Sequence, residues 1–450
     1  ENENTIYRSK KDKFLLLENS HLKKGYLSVN KKSFGFVNLD NEEDLYIDAS
    51  NMNGAIHNDL VLAEVITNKG AGKREGRIFK ILKRDFGGLI GEYYTKKDVG
   101  YIKLDDSKVK LNIKIDKENC KSAMDGHKVK VKVLRDSGNN NYNGEVVKIL
   151  GHKNDPGVDI LSIVYKYNIN DSFSDEVMNE VDMIADTVHE DEIKNRTDLR
   201  GEEIFTIDGD DTKDIDDAIS LKKLDNGNYL LGVHIADVSY YVKENSAIDK
   251  EAYDRGTSVY LVDRVIPMLP HKLSNGICSL NEGVDRLTVS CDVEIDANGN
   301  FVKYHVYESV INSKKKMTYK NVNKIIEEDI TPEGYEPFVA TLKEMKVLAD
   351  ILRKNKLKRG YIDFDTDEVK VIVDELGKPI DIKLRERGSG EKLIEDFMIA
   401  ANEAVASYIY YMELPFVYRI HEYPKEEKIA NFIKFVSVLG YKLKPKIGRA

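Results

Sequence analysis

At 450 residues the chain is too long for one compact core, so roughly two to four domains are expected. Apolar residues make up 41% of it, no apolar run approaches a membrane span, and charged residues 1–13 lack the core of a secretory leader. The net charge of -9 argues against a polyanionic partner until it is divided: residues 1–150 hold 28 Lys and Arg against 22 Asp and Glu, and the remainder 41 against 56. A basic front and an acidic rear suit a protein that captures a polyanion and processes it with metal ions. Cys120, Cys278 and Cys291 show no ligand or disulfide spacing, which points to a reducing compartment, the cytoplasm.

The first 150 residues read as a duplicated β-rich unit. Gly25-Tyr26-Leu27, Phe34-Gly35-Phe36-Val37 and Leu45-Tyr46-Ile47 are answered by Gly91-Glu92, Gly100-Tyr101-Ile102 and Leu111 to Ile115. Each unit closes on a similar strand, Gly76 to Leu82 and Gly144 to Leu150. Short alternating strands with glycine turns, repeated at this spacing, predict two five-stranded barrels of the OB type over 22–84 and 85–151. In the first, Phe34 and Phe36 flank Gly35 and Tyr46 follows on the next strand, a pattern suited to stacking single-stranded bases on an open face; the glycine would let a ligand approach the backbone. The second has only Tyr101 at the matching place, with Lys121, Lys128, Lys130, Lys132 and Arg135 to add charge.

Residues 152–200 form a connector, with a helix predicted from the N-cap Ser174 to Ala185 and an apolar stripe of Val177, Met178, Val181 and Ile184. From 201 to 450 strands and longer helices alternate, which predicts a large mixed α/β domain.

The most informative segment runs Ile204-Phe205-Thr206-Ile207-Asp208-Gly209-Asp210-Asp211-Thr212-Lys213-Asp214-Ile215-Asp216-Asp217-Ala218-Ile219. Six aspartates framed by strand-like apolar residues repel one another unless cations share the site, and hard oxygen donors select Mg²⁺ or Mn²⁺. A calcium loop counted from Asp208 would need Gly and Glu where Lys213 and Ile219 stand. The Asp208-Gly209-Asp210-Asp211-Thr212 run matches the nucleophile motif of haloacid-dehalogenase-type phosphatases. That fold requires a βα crossover next, whereas Asn226-Gly227 between two apolar runs predicts a hairpin. The third reading is a two-metal phosphodiester hydrolase, with Asp208, Asp214, Asp216 and Asp217 as ligands and Asp210 and Asp211 peripheral.

The motifs that follow carry a resemblance: Thr206-Ile207-Asp208 with Asp214-Ile215-Asp216-Asp217-Ala218, His234-Ile235-Ala236-Asp237-Val238, Thr257-Ser258-Val259-Tyr260, Val265 to Pro270, Leu273 to Leu280, Met317-Thr318-Tyr319 and Leu393 to Met398. In this order they resemble the ribonuclease II and ribonuclease R family over about residues 20–450, and the paired cold-shock-like barrels favour ribonuclease R. The resemblance implies a processive hydrolase that digests single-stranded RNA from a free 3′ end to nucleoside 5′-monophosphates. It places Asp208, Asp214, Asp216 and Asp217 at the metals and scissile phosphate, Tyr260 and Phe364 as a base clamp, and Tyr319 and Glu395 at the terminal nucleotides. Family members normally continue into a further stretch of catalytic domain bearing an arginine, then an S1-type barrel. Neither is found in 1–450, so the catalytic domain is expected to be incomplete at its C-terminus.

Read without the family, Tyr260 lies in an apolar run that favours the core, and Phe364 alternates with carboxylates. Glu395 and Asn402 share a second face of a helix from Glu391 to Met412 that buries Ile394, Phe397, Met398, Ala401 and Val405. His234 sits in a strand-like run and Cys278 lacks a catalytic partner, so both read as structural. An RNA-binding or regulatory protein with a degenerate catalytic domain is the second reading; no membrane is implied, and no protein partner is indicated.

Overall fold

The computed structural model describes residues 6–8, 14–16, 20–30, 32, 34–39, 42–69, 73–84, 86, 88–138, 140–363, 368–420 and 422–443. The chain divides into two compact units, one built mainly from residues 1–172 and the other from most of 173–450.

The first unit holds two closed barrels. Barrel one is formed by β1 (Leu22–Val29), β2 (Gly35–Asn38), β3 (Leu45–Ile47), β4 (Leu60–Lys69) and β5 (Lys73–Lys83). The long antiparallel pair β4–β5 closes on β3 through a parallel contact of Tyr46 with Glu75 and Ile47 with Gly76. Alternation does the sorting: Leu27, Val37, Leu45, Ile47, Val61 and Ile78 fill the interior, and their neighbours face outward. Barrel two repeats the plan with β6 (Ile90–Lys96), β7 (Val99–Leu104), β8 (Asn112–Ile115), β9 (His127–Asp136) and β10 (Asn141–His152). Arg84, at the end of β5, donates to the Tyr142 hydroxyl at 2.7 Å and the Gly54 carbonyl at 2.8 Å, tying one barrel to the next. Gly35 has a packing role. A Cβ there would lie 2.6 Å from the Ser28 carbonyl oxygen, so the glycine is required by the tight approach of β1 to β2.

In the second unit the expected connector helix spans α1 (Asp175–Asp182), where the Ser174 hydroxyl accepts from the Val177 amide at 3.4 Å. Val177 and Val181, one turn apart, are buried; Met178, the next residue round the helix, is turned off that face and exposed. A five-stranded sheet follows, its strands in the spatial order Thr197–Asp198, Phe301–Asn312, Asp285–Ile295, Tyr229–Ala236 and Asp217–Lys223. The Asn226-Gly227 turn is present, with Gly227 at φ +84° and the Leu224 amide bonded to the Asn228 carbonyl at 2.9 Å. The chain therefore returns antiparallel, and the crossover a phosphatase of the haloacid-dehalogenase type needs is not made.

One face of this sheet is apolar and is covered by three helices, α2 (Tyr319–Glu327), α3 (Val339–Lys358) and α4 (Ser389–Tyr411). Ile219, Leu231, Val233, Cys291 and Val293 meet Val322, Leu342, Met345, Ile394 and Phe397 in the main core. On α4 the expected stripe is realised with Met398 and Val405 only partly buried and Ala400 and Ala404 fully so. The opposite face is polar. His234 contacts Ser220 Oγ at 3.1 Å and Ser290 Oγ at 2.6 Å, and the chain of hydroxyls continues through Ser309 (2.6 Å) to Thr288 (2.7 Å). Beyond it the guanidinium of Arg196 donates to the Thr288 carbonyl at 3.2 Å and pairs with buried Asp237 at 2.5 Å. His234 is thus a structural residue, and burial lowers its pKa to about 4. Cys278 is buried as well, its thiol pushed up to about 12 by burial. Among the described residues no helix is long and apolar enough to cross a membrane.

Candidate active site

Asp208 ends a short strand, Thr206–Asp208, that runs parallel to Lys316–Thr318 with Asp208 opposite Thr318. Its Oδ1 accepts from the Gly209 amide at 2.7 Å and the Thr212 hydroxyl at 3.0 Å, which turns the chain out of the strand. Ile215 then plunges into a small core with Ile204, Ala218, Leu280 and Ile311. Because extended neighbours point to opposite sides, burying Ile215 turns Asp214 and Asp216, which flank it in sequence, to the other, outward side. Asp217 opens the edge strand of the large sheet, opposite Ile235.

The loop is held from outside. Ser279 Oγ accepts from the Ile215 amide at 3.1 Å and donates to the Lys213 carbonyl at 2.8 Å, and the Leu280 amide bonds the Ile215 carbonyl at 2.9 Å. Lys316 Nζ reaches the Thr212 carbonyl at 2.5 Å, and the Ala236 amide reaches the Asp216 carbonyl at 3.0 Å. In the sequence Ser279 and Lys316 carry no sign of this role. Only the fold brings them to the aspartates.

The carboxylates act on one another. Burial first, then Asp208 and Asp216, push the Asp217 carboxyl up to about 6. Asp216 reaches solvent, yet its surroundings, with Asp214 and then Asp208, raise it too. Asp210 and Asp211 are exposed. Among the described residues no three acidic, imidazole or thiol groups form a ready-made ligand cage. The donor chemistry fits a divalent cation all the same: all-oxygen, hard, and carrying a repulsion that a cation would relieve.

Tyr319 is the first residue of α2, capped by Thr318, whose hydroxyl accepts from the Asn321 amide at 3.3 Å. Burial, then the charges of Asp208 and Asp217, then Glu391, push its hydroxyl pKa upward, so it stays protonated. Tyr319 therefore stands with the aspartates. Glu395, one helical turn beyond Glu391, is engaged elsewhere: Arg387 pairs with it, Lys356 Nζ lies at 3.2 Å and the Tyr361 hydroxyl at 3.4 Å. Its neighbour Asp396 is buried between Lys356 (2.8 Å) and Arg353 (2.9 Å), and Arg353 also holds Asp363 at 3.0 Å. Glu391, which the sequence did not single out, is the carboxylate beside Tyr319; it accepts from Asn323 at 3.0 Å.

Tyr260 is 68% exposed, so the core reading that its apolar neighbours favour fails. Phe364 lies outside the described residues. On barrel one Phe34, Phe36 and Tyr46 do converge, with ring centroids 5.4 to 6.0 Å apart and Phe36 exposed. Exposed Tyr26 lies on the same face, opposite Asn38. Barrel two carries more than the lone Tyr101: Tyr94 is directly opposite it and the rings stack at 5.8 Å. The signal was the Tyr93-Tyr94 pair, in which alternation must put one ring inside and the other outside.

Three family models match the chain: RNB domain over residues 196–447, Ribonuclease B OB domain over 25–81 and Cold shock domain over 101–174. Ribonuclease R of Thermotoga maritima is 44% identical over 449 residues, which is 99% of this chain and 63% of that protein. Ribonuclease R 1 of Lactococcus lactis is 40% identical over 437 residues, 93% of this chain and 53% of that protein. The chain thus spans between half and two thirds of the length of these relatives. Among solved structures, Mycoplasma genitalium RNase R in complex with ribose-methylated single-stranded RNA superposes with a TM-score of 0.88 at 29% identity, covering 95% of this chain and 68% of that one.

Proposed function

The chain belongs to the RNB-domain family of ribonuclease R proteins, with two OB-type domains ahead of the RNB domain, and from that premise we propose that it is a processive 3′→5′ exoribonuclease. It hydrolyses single-stranded RNA from a free 3′ end and releases nucleoside 5′-monophosphates. The observation that supports this reading is that Asp208, Asp214, Asp216 and Asp217 come from one strand end, the loop after it and the first residue of the sheet's edge strand, where burial and then their mutual charge raise Asp216 and Asp217. Such a cluster is built for cations rather than for isolated charge.

Asp208, Asp214, Asp216 and Asp217 would hold divalent ions, Mg²⁺ or Mn²⁺. When bound, such ions lower the pKa of a water and offset charge on the scissile phosphate. The protein's own groups do the positioning. Ser279, Lys316 and Thr212 fix the loop so that the carboxylates keep their separation. Tyr319, protonated throughout the working pH range, donates a hydrogen bond to a phosphate or ribose oxygen. Tyr260 and Phe364 would clamp the terminal bases, and Glu395 would position the terminal nucleotides through the charge network it shares with Arg387 and Lys356. The aromatic faces of the barrels, Phe34, Phe36 and Tyr46 on one and Tyr94 and Tyr101 on the other, would stack the incoming strand, each base contributing about 1–3 kcal/mol. The unpaired state of all three cysteines suits a cytoplasmic setting.

The test is digestion of 3′-labelled and 5′-labelled single-stranded RNA with Mg²⁺ and with EDTA. Labelled mononucleotide released first from the 3′ end, only with metal, is the expected result. RNA bound but left intact in Mg²⁺ and in Mn²⁺ would instead mark a binding protein with a silent catalytic domain.

A further inference from the structure

The apolar face of the large sheet is not covered along its whole length. Directly opposite Asp217 is Ile235, opposite Ile235 is Val289, and opposite Val289 is Glu308. Residues paired in register share a face, so the four form one row across four strands. They lie on the core side, because Ile219, Val233 and Cys291, two positions along their strands, are in the main core. The helices bury that next row and stop short of this one: Ile235 is 41% exposed and Val289 37%. Two β-branched apolar side chains are therefore partly open to solvent in the row that begins at Asp217.

The spacing of the row selects an occupant. Neighbouring strands are about 4.8 Å apart. Ile235 is one strand from Asp217, about the step from a phosphate to its own ribose, and Val289 one strand further, where a base would lie. We infer that Ile235 and Val289 form the apolar floor under the ribose and base of the nucleotide being released, whose 5′-phosphate faces the aspartates. Glu308 closes the row with a carboxylate able to accept from a base amino group. This assignment rests on the exonuclease reading for its ligand class. It adds two binding residues that carry no charge, and it explains why hydrophobic side chains are left partly open at the edge of an acidic site.

The experiment compares adenosine 5′-monophosphate with inorganic phosphate as probes, by equilibrium binding in Mg²⁺, for the unaltered chain and for Ile235→Thr, Val289→Thr and the double variant. Threonine keeps the β-branch, and unchanged melting temperatures confirm that the sheet is intact. The nucleotide is expected to bind more tightly than phosphate to the unaltered chain. Each single variant should weaken nucleotide binding roughly tenfold without affecting phosphate, and the double variant should erase the difference. Equal binding of the two probes by the unaltered chain, or a double variant that keeps the preference, would overturn the inference. RNA digestion run in parallel separates the two claims. Nucleotide preference without digestion counts against the exonuclease reading alone, and digestion with an undisturbed preference in the double variant counts against the floor alone.

Discussion

The large sheet carries two dense polar regions, and they treat buried charge differently. On its polar face His234 lies among Ser220, Ser290, Ser309 and Thr288, every contact between 2.6 and 3.1 Å, and the Arg196 guanidinium meets Asp237 at the far end. Rotatable hydroxyls can donate or accept, so the network satisfies either tautomer of the imidazole. Around Asp217, by contrast, burial first and then like charges set side by side raise two carboxyls. The first region has no need of a ligand. The second sets like charges together, a repulsion that a bound cation would relieve.

Four measurements would sharpen or break that contrast. The largest effect belongs to Asp216→Asn, which should lower RNA turnover roughly a thousandfold or more while leaving RNA affinity and melting temperature near those of the unaltered chain. Parallel loss of RNA binding would show that Asp216 shapes the fold or the binding surface instead. Next is pH. Burial holds the folded His234 pKa at about 4 against an unfolded value near 6.5. The folded state thus refuses a proton that the unfolded chain accepts, so this contribution is fully present above pH 6.5 and is lost as pH falls to 4. The loss is on the order of 3 kcal/mol and is read as the difference in urea stability between the unaltered chain and His234→Gln across that window. Identical pH profiles would remove His234 from the account.

Third, Ser290→Ala takes the middle link out of the network and leaves His234 Nδ1 and one side of the Ser309 hydroxyl without a partner in a buried setting. It should cost about 2 kcal/mol in denaturant melts, with RNA turnover at the permissive temperature kept. Fourth, Ser220→Ala removes the outer, partly exposed link, which water can replace, and about 0.5 kcal/mol or less is expected. A Ser220 effect as large as that of Ser290 would contradict the picture of a network anchored in the interior.

Much of this was legible in the residues. The hairpin at Asn226-Gly227 follows from a turn that only positive φ permits, and Ser174 announces its helix by a cap that acts within one turn. The aspartate spacing is equally local: apolar Ile207, Ile215 and Ala218 state where the strand ends and where the loop re-enters a core. Tyr260 and Glu395 were not legible in the same way. An apolar neighbourhood made Tyr260 look buried, but it ends a two-residue strand segment and is 68% exposed. Glu395 shares a helix face with Glu391, yet only the positions of Lys356 and Arg387 decide that Glu395 is paired while Glu391 stands by Tyr319.

The sequence alone determined the barrels, the hairpin and the four carboxylates, because strand alternation, turn chemistry and the spacing of a loop are all set by neighbours along the chain. Tertiary structure decided which groups face the carboxylates. The parallel pairing of Asp208 with Thr318 brings Tyr319 to the site, Ser279 arrives from a separate loop, and Ile235 and Val289 are laid beside Asp217 by strand register. Those are contacts between distant segments, settled by how the sheet and its helices share one core, and no local pattern encodes them.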